Sequence, residues 1–91
     1  MAARWTTPKD PNEVLDYSVD WSGPLAGDTI VTSTWMVPAG LTSGADNMTD
    51  SSTTIWLSGG TENASYELLN RITTAGGRTR DQTCLLKIKT K

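Results

Sequence analysis

The feature that most constrains this chain is strict alternation of apolar and polar residues: Leu15, Tyr17, Val19 and Trp21 are interleaved with Asp16, Ser18 and Asp20. That is the period of a strand with one face buried and the other in water. The signature recurs. A second strand is expected from about Asp28 to Val37, dense in β-branched residues, with Val31, Trp35 and Val37 in one register and Ile30 and Met36 in the other. Thr53 to Ser58 forms the next, with Ile55 and Leu57 facing one way and Trp56 the other. A hairpin then runs from Ser65 to Thr74 and from Arg78 to Thr90 around Ala75-Gly76-Gly77, Cys84, Leu86 and Ile88 alternating against Lys87 and Lys89. Gly23-Pro24, Gly27-Asp28, Pro38-Ala39-Gly40 and Gly59-Gly60 punctuate the intervals as turns.

The remaining stretches are less regular. Residues 41 to 51 are rich in Ser, Thr, Asp, Asn and Gly and read as a long polar connection with room for one short strand around Leu41 or Met48. Residues 1 to 13, with Pro8 and Pro11, have no periodicity and read as an extended N-terminal arm whose one large apolar group is Trp5. Removing residues 1 to 12 is therefore expected to leave the fold intact. The nearest approach to a helix is Asn63 to Arg71, against which the threonines beyond Ile72 count. Ninety-one residues make one domain: the arm over 1–13 and a body over 14–91. Short antiparallel strands at this spacing indicate an all-β, immunoglobulin-like antiparallel β-sandwich of about seven strands.

Chemistry is hard to place on such a frame. The chain has no histidine, so the commonest general base and the usual partner of a Ser or Cys nucleophile are missing. Asp16 and Asp20 share a strand face, but four residues of strand put their backbones roughly 13 Å apart, beyond the roughly 5–9.5 Å of glycosidase pairs. Cys84 is the only cysteine, so no internal disulfide forms and no zinc site is expected. Asp46, Asn47 and Asp50 resemble a fragment of a calcium loop, yet the alternation fails at Met48 and the terminal Glu is missing. The glycine pairs are explained as turn residues and not as a phosphate cradle. No cofactor, no metal and no enzymatic activity are expected. The N-terminus lacks an apolar core of signal-peptide length, and no stretch approaches the roughly 18 apolar residues of a membrane span. Synthesis in the cytoplasm, with no membrane partner, is the expectation.

Surfaces are what such a chain has to offer. Residues 1 to 70 hold nine acids against Arg4 and Lys9, whereas residues 71 to 91 hold six bases against Asp81. Arg71, Arg78, Arg80, Lys87, Lys89 and Lys91 thus form a candidate basic stripe on the last hairpin, with Arg78, Arg80, Lys87 and Lys89 as its candidate contact residues. With no aromatic residue among them to stack a base, they suit an acidic protein surface better than nucleic acid, or serve as lysines protecting an edge. Trp21 and Trp35 fall in core register. Trp56 lies opposite in register to Ile55 and Leu57 and either packs in a second layer or beneath a loop or is exposed, in which case it is the best candidate for an anchor, since Trp is enriched in interface hot spots. Trp5 either folds back on its own domain or docks into a neighbour.

Several segments carry a resemblance. Asp16-Tyr17-Ser18-Val19-Asp20-Trp21, Leu25-Ala26-Gly27-Asp28-Thr29-Ile30, Ser33-Thr34-Trp35, Thr53-Thr54-Ile55-Trp56-Leu57-Ser58-Gly59-Gly60 and Asn70-Arg71-Ile72-Thr73-Thr74-Ala75-Gly76-Gly77-Arg78 together resemble a family of small tailed-bacteriophage proteins known as fiber-tail adaptors. The resemblance spans about residues 10 to 90. It implies an immunoglobulin-like virion domain in many copies, joining tail fibers to the tail tube or baseplate by protein–protein contacts. A carbohydrate-binding or capsid-decorating module on the virion is the alternative, the first of these using exposed Trp56 or Trp5 to stack on sugar.

Overall fold

The computed structural model describes residues 2–5 and 7–91. Its described strands are β1 (Ala2–Arg4), β2 (Leu15–Asp20), β3 (Ile30–Met36), β4 (Leu41–Met48), β5 (Ser52–Gly59), β6 (Ser65–Thr74) and β7 (Thr79–Lys87), with a one-turn helix α1 (Ser22–Leu25). They form two sheets, in the orders β1-β7-β6-β3 and β2-β5-β4. Every pairing is antiparallel except that of β1 with β7. The architecture is the expected all-β sandwich.

Alternation explains which side chains lie between the sheets. Tyr17, Ile55, Leu57, Leu68, Leu86 and Ile88 meet with Leu41 in one apolar cluster, and Trp21, Leu25, Ile30 and Ile72 form a second. Each such side chain contributes on the order of 1.5–3 kcal/mol by leaving water. The inner face of β6 shows why there are two clusters. Leu68 belongs to the first and Ile72 to the second, and between them stands Asn70, which has no exposed surface. Its Oδ1 accepts from Thr53 Oγ1 at 2.6 Å and from Trp21 Nε1 at 3.0 Å. Its Nδ2 donates to Ser33 Oγ at 3.0 Å and to the Thr34 carbonyl at 3.1 Å. A buried amide is tolerable only when its hydrogen bonds are made, and these four tie β6 to β5, β3 and the end of β2.

Three expectations need correction. Val31 does not share a face with Trp35 and Val37: the register slips between Ile30 and Thr32, so Val31 is the extra residue of a bulge and stands exposed. That slip lets Ile30 and Trp35, an odd number of positions apart, both turn inward. Residues 41–48 are a full strand and not a connection, although only Leu41 among them is buried. As the threonines beyond Ile72 indicate, Asn63–Arg71 is not helical: Asn63 takes a left-handed φ of 66° in a turn, and β6 begins at Ser65 as expected. Gly23-Pro24, expected as a turn, sits inside α1, where Pro24 occupies the first turn and needs no N–H partner. The turn delivers Leu25 to the second cluster.

The N-terminal segment runs along the outer edge of β7. Trp5 N–H donates to the Leu85 carbonyl at 3.1 Å, Lys9 N–H to the Lys87 carbonyl at 3.0 Å, and Lys89 N–H returns a bond to the Lys9 carbonyl at 2.8 Å. Residues 10–13 clasp the C-terminus: Lys91 N–H donates to Asp10 Oδ2 at 2.8 Å and Lys91 Nζ pairs with Glu13 at 2.8 Å.

Candidate interaction surface

Trp56 stands on the outer face of the β2-β5-β4 sheet and is 40% exposed. Parity along β5 places it there, because Ile55 and Leu57 on either side point inward. Asp16 of β2 lies directly across the ladder from it. On the other side the register of β4 slips between Ser43, opposite Leu57, and Asp46, opposite Ile55. Gly44 and Ala45 are thus the pair of residues facing the single Trp56. A Cβ on Gly44 would come within 3.4 Å of Trp56 Cβ. Two of the smallest side chains therefore flank the indole and leave its surface open. Ser18 and Thr54, whose hydroxyls bond to one another at 2.8 Å, continue the same outer face, and Asp20 ends it.

The other residues singled out in the sequence are not gathered around Trp56. Trp5 turns back onto its own domain. Its ring centroid lies 4.8 Å from that of Tyr17 and 6.1 Å from that of Trp35, and its Nε1 donates to the Ser18 carbonyl at 2.9 Å. It bridges from the edge of β7 to the edge of β2, so that flank of the sandwich is closed. Arg78 pairs with Asp28 at 3.1 Å, and Arg80 donates to the Pro24 carbonyl at 3.2 Å. Lys87 and Lys89 are exposed at the far end of β7. Seven residues of strand put Arg80 and Lys87 roughly 23 Å apart, and opposite parity turns them to opposite faces. The four bases make two separate groups, not one stripe.

Electrostatics sharpen the contrast between the sheets. From Asp10 to Asn70 the chain has no Lys or Arg, so the whole β2-β5-β4 sheet is free of bases while carrying Asp16, Asp20 and Asp46. On the other sheet the bases are partly neutralised. Arg71 meets Asp81 in a two-pronged pair at 2.8 and 3.0 Å, alongside the Arg78–Asp28 and Lys91–Glu13 pairs. Asp28 is held down to about 2 by the Thr74 hydroxyl, the Thr29 and Gly76 amides and Arg78. Cys84 is buried, and burial pushes its thiol up to about 11, which keeps it protonated and inert at neutral pH.

Sequence reasoning missed two features that shape this surface. The β4 bulge has no apolar signature; the adjacent small residues Gly44-Ala45 are its one trace. The burial of Lys9 has none, because a lysine beside two prolines reads as solvated.

Together these features define a small β-sandwich binding domain, with one flank sealed by its own N-terminal segment and a base-free outer face carrying a tryptophan. A family model described as podophage GP4 fiber-tail adaptor protein gp77 matches residues 9–87. The chain belongs to that family, and its role is that of a structural adaptor in the phage virion. No curated protein matches it.

Proposed function

We propose that the domain joins tail fiber to tail as a passive connector, without enzymatic activity, in several copies per particle after synthesis in the host cytoplasm. The observation that carries this reading is the separation of two unlike surfaces on one rigid sandwich. An acidic outer face with exposed Trp56 lies on the β2-β5-β4 sheet, and a basic end with Lys87 and Lys89 closes the other. A connector needs two such surfaces. Trp56, Lys87, Lys89 and Arg80 are the contact residues on this reading. Arg78 braces its own hairpin through Asp28, and Trp5 seals the flank. Neither nucleic acid nor a membrane is a partner. Three of the six bases after Asn70 are held in ion pairs, which removes much of the charge a phosphate backbone would need.

The test is genetic and structural. Particles assembled without the chain should have tails that lack fibers, and electron microscopy of complete particles should resolve the domain between the two. Fully fibered, infectious particles made in its absence would end the proposal.

A further inference from the structure

We infer that the Trp56 face takes an arginine- or lysine-bearing surface of another virion protein, with the partner's cation stacked on the indole beside Asp16. The inference rests on the adaptor reading and names the chemistry of one of its two joints.

The occupant follows from charge and shape. An exposed indole flanked by a carboxylate attracts a guanidinium or ammonium group twice over, through the negative face of the ring and through Asp16 across the ladder. No Lys or Arg lies anywhere on the strands that build this face, so nothing in the sheet itself repels an incoming cation or competes for the site. Among the described residues neither Asp16 nor Asp20 is in an ion pair. The Gly44-Ala45 bulge keeps the β4 side of the ring low, so a long side chain can approach over it.

Two other occupants fit less well. Addition of a partner strand to the free edge of β4 is opposed by the bulge and by Asp46, which is paired with inward-facing Ile55 and so puts a charge toward the core side of the edge; both are devices that blunt strand edges. A saccharide needs hydrogen-bonding groups converging from the walls of a cleft. Trp56 lies on a sheet face and does not line the neighbouring cleft, which reaches Asp16 and Ser18 from the Trp5, Thr7, Leu15 and Tyr17 side.

The experiment uses particles assembled without the chain and refilled with the purified protein. Wild-type chain should rebind and restore fiber attachment. Trp56→Ala should weaken rebinding by about 30-fold or more, the loss expected of a hot-spot tryptophan. Its melting temperature should fall only slightly, and far less than would explain the lost rebinding, because the ring lies outside the two core clusters. Asp16→Asn should weaken rebinding less and make it less sensitive to salt. A photo-crosslinking amino acid placed at Thr42, on the same outer face, should attach to a segment of another virion protein containing Arg or Lys. Rebinding of Trp56→Ala equal to wild type would overturn the inference, as would cross-linking to a second copy of this chain, to glycan, or to a segment without bases. Each of those results leaves the adaptor reading standing. Wild-type chain that fails to rebind at all would instead remove the adaptor reading itself.

Discussion

The ammonium nitrogen of Lys9 lies 2.6 Å from the carbonyl oxygen of Gly59, at the end of a side chain with no exposed surface. It also donates to the Asp10 carbonyl at 2.9 Å. A lysine is almost never fully buried without partners, and here carbonyls supply them. The bond joins the N-terminal segment, paired on one sheet, to the end of β5 on the other.

Lys9→Met should therefore keep the packing and lose the two hydrogen bonds, at a net cost of about 1–3 kcal/mol. Desolvation lowers the Lys9 pKa from 10.5, against the opposing pull of Glu13 and Asp10. Between the lowered folded value and 10.5 the unfolded chain binds more protons, so this group makes stability rise with pH in that window. Urea unfolding at pH 7 and pH 10 should accordingly show a wider gap between wild type and Lys9→Met at the higher pH. A gap that narrows would show that the folded state favours the Lys9 charge and that desolvation does not dominate at this site.

Truncation of residues 1–12 tests the same contact more severely. The sequence suggests that this segment is dispensable for folding, but it holds Lys9 and the Trp5 ring packed on Tyr17 and Trp35. The shortened chain should unfold at markedly lower denaturant. Trp5→Ala alone should cost about 1–3 kcal/mol, less than the roughly 3–5 kcal/mol of a fully buried tryptophan, because the ring is only partly buried against the core. Equal midpoints for the truncated and intact chains would show the segment to be a true arm.

Asn70→Ala should be among the most damaging single changes. It leaves Thr53 Oγ1 buried without its acceptor and Trp21 Nε1 with only its longer bond to Thr53 Oγ1 at 3.3 Å, at about 1–3 kcal/mol for the stranded hydroxyl, and opens a cavity between the two clusters. Asn70→Asp keeps the acceptor but loses both donors, to Ser33 and Thr34, and buries a charge. It too should destabilise, most strongly at neutral pH, where the carboxyl would be ionised. Chemical denaturation across pH separates the two effects.

Acid should reveal Asp28. Its carboxyl is held near 2, against 3.8 when free, first by the Thr74 hydroxyl. The stability it contributes is complete above about pH 4 and is lost as pH falls toward 2. Asp28→Asn should be less stable at neutral pH and should lose less stability between pH 4 and pH 2. Parallel acid curves for the two proteins would show that the β6–β7 turn does not depend on this carboxylate.

Most of the strands were legible because burial on one face writes a period of two into the sequence. Leu15 to Val19, Ile55 to Leu57 and Cys84 to Ile88 all occupy the faces that alternation assigns, and Trp56 is outward for the same reason. Where that cause is missing, the strands leave no such trace. In β4 only Leu41 is buried, so the strand is held by its ladder to β5 and has no periodic trace. At Val31 a bulge breaks parity, and nothing in a run of β-branched residues marks where the slip falls.

The amino-acid sequence by itself determined the class of the fold and the register of Trp56, opposite to Ile55 and Leu57, because both depend on local alternation between core and water. Tertiary structure alone decided the rest: that Lys9 is buried, that Trp5 closes a flank, that Asn70 divides the core, and that the bases of the last hairpin are split and partly neutralised. Each of these depends on groups far apart in the chain being brought within hydrogen-bonding or ion-pairing reach, and no local pattern of residues encodes such a distance.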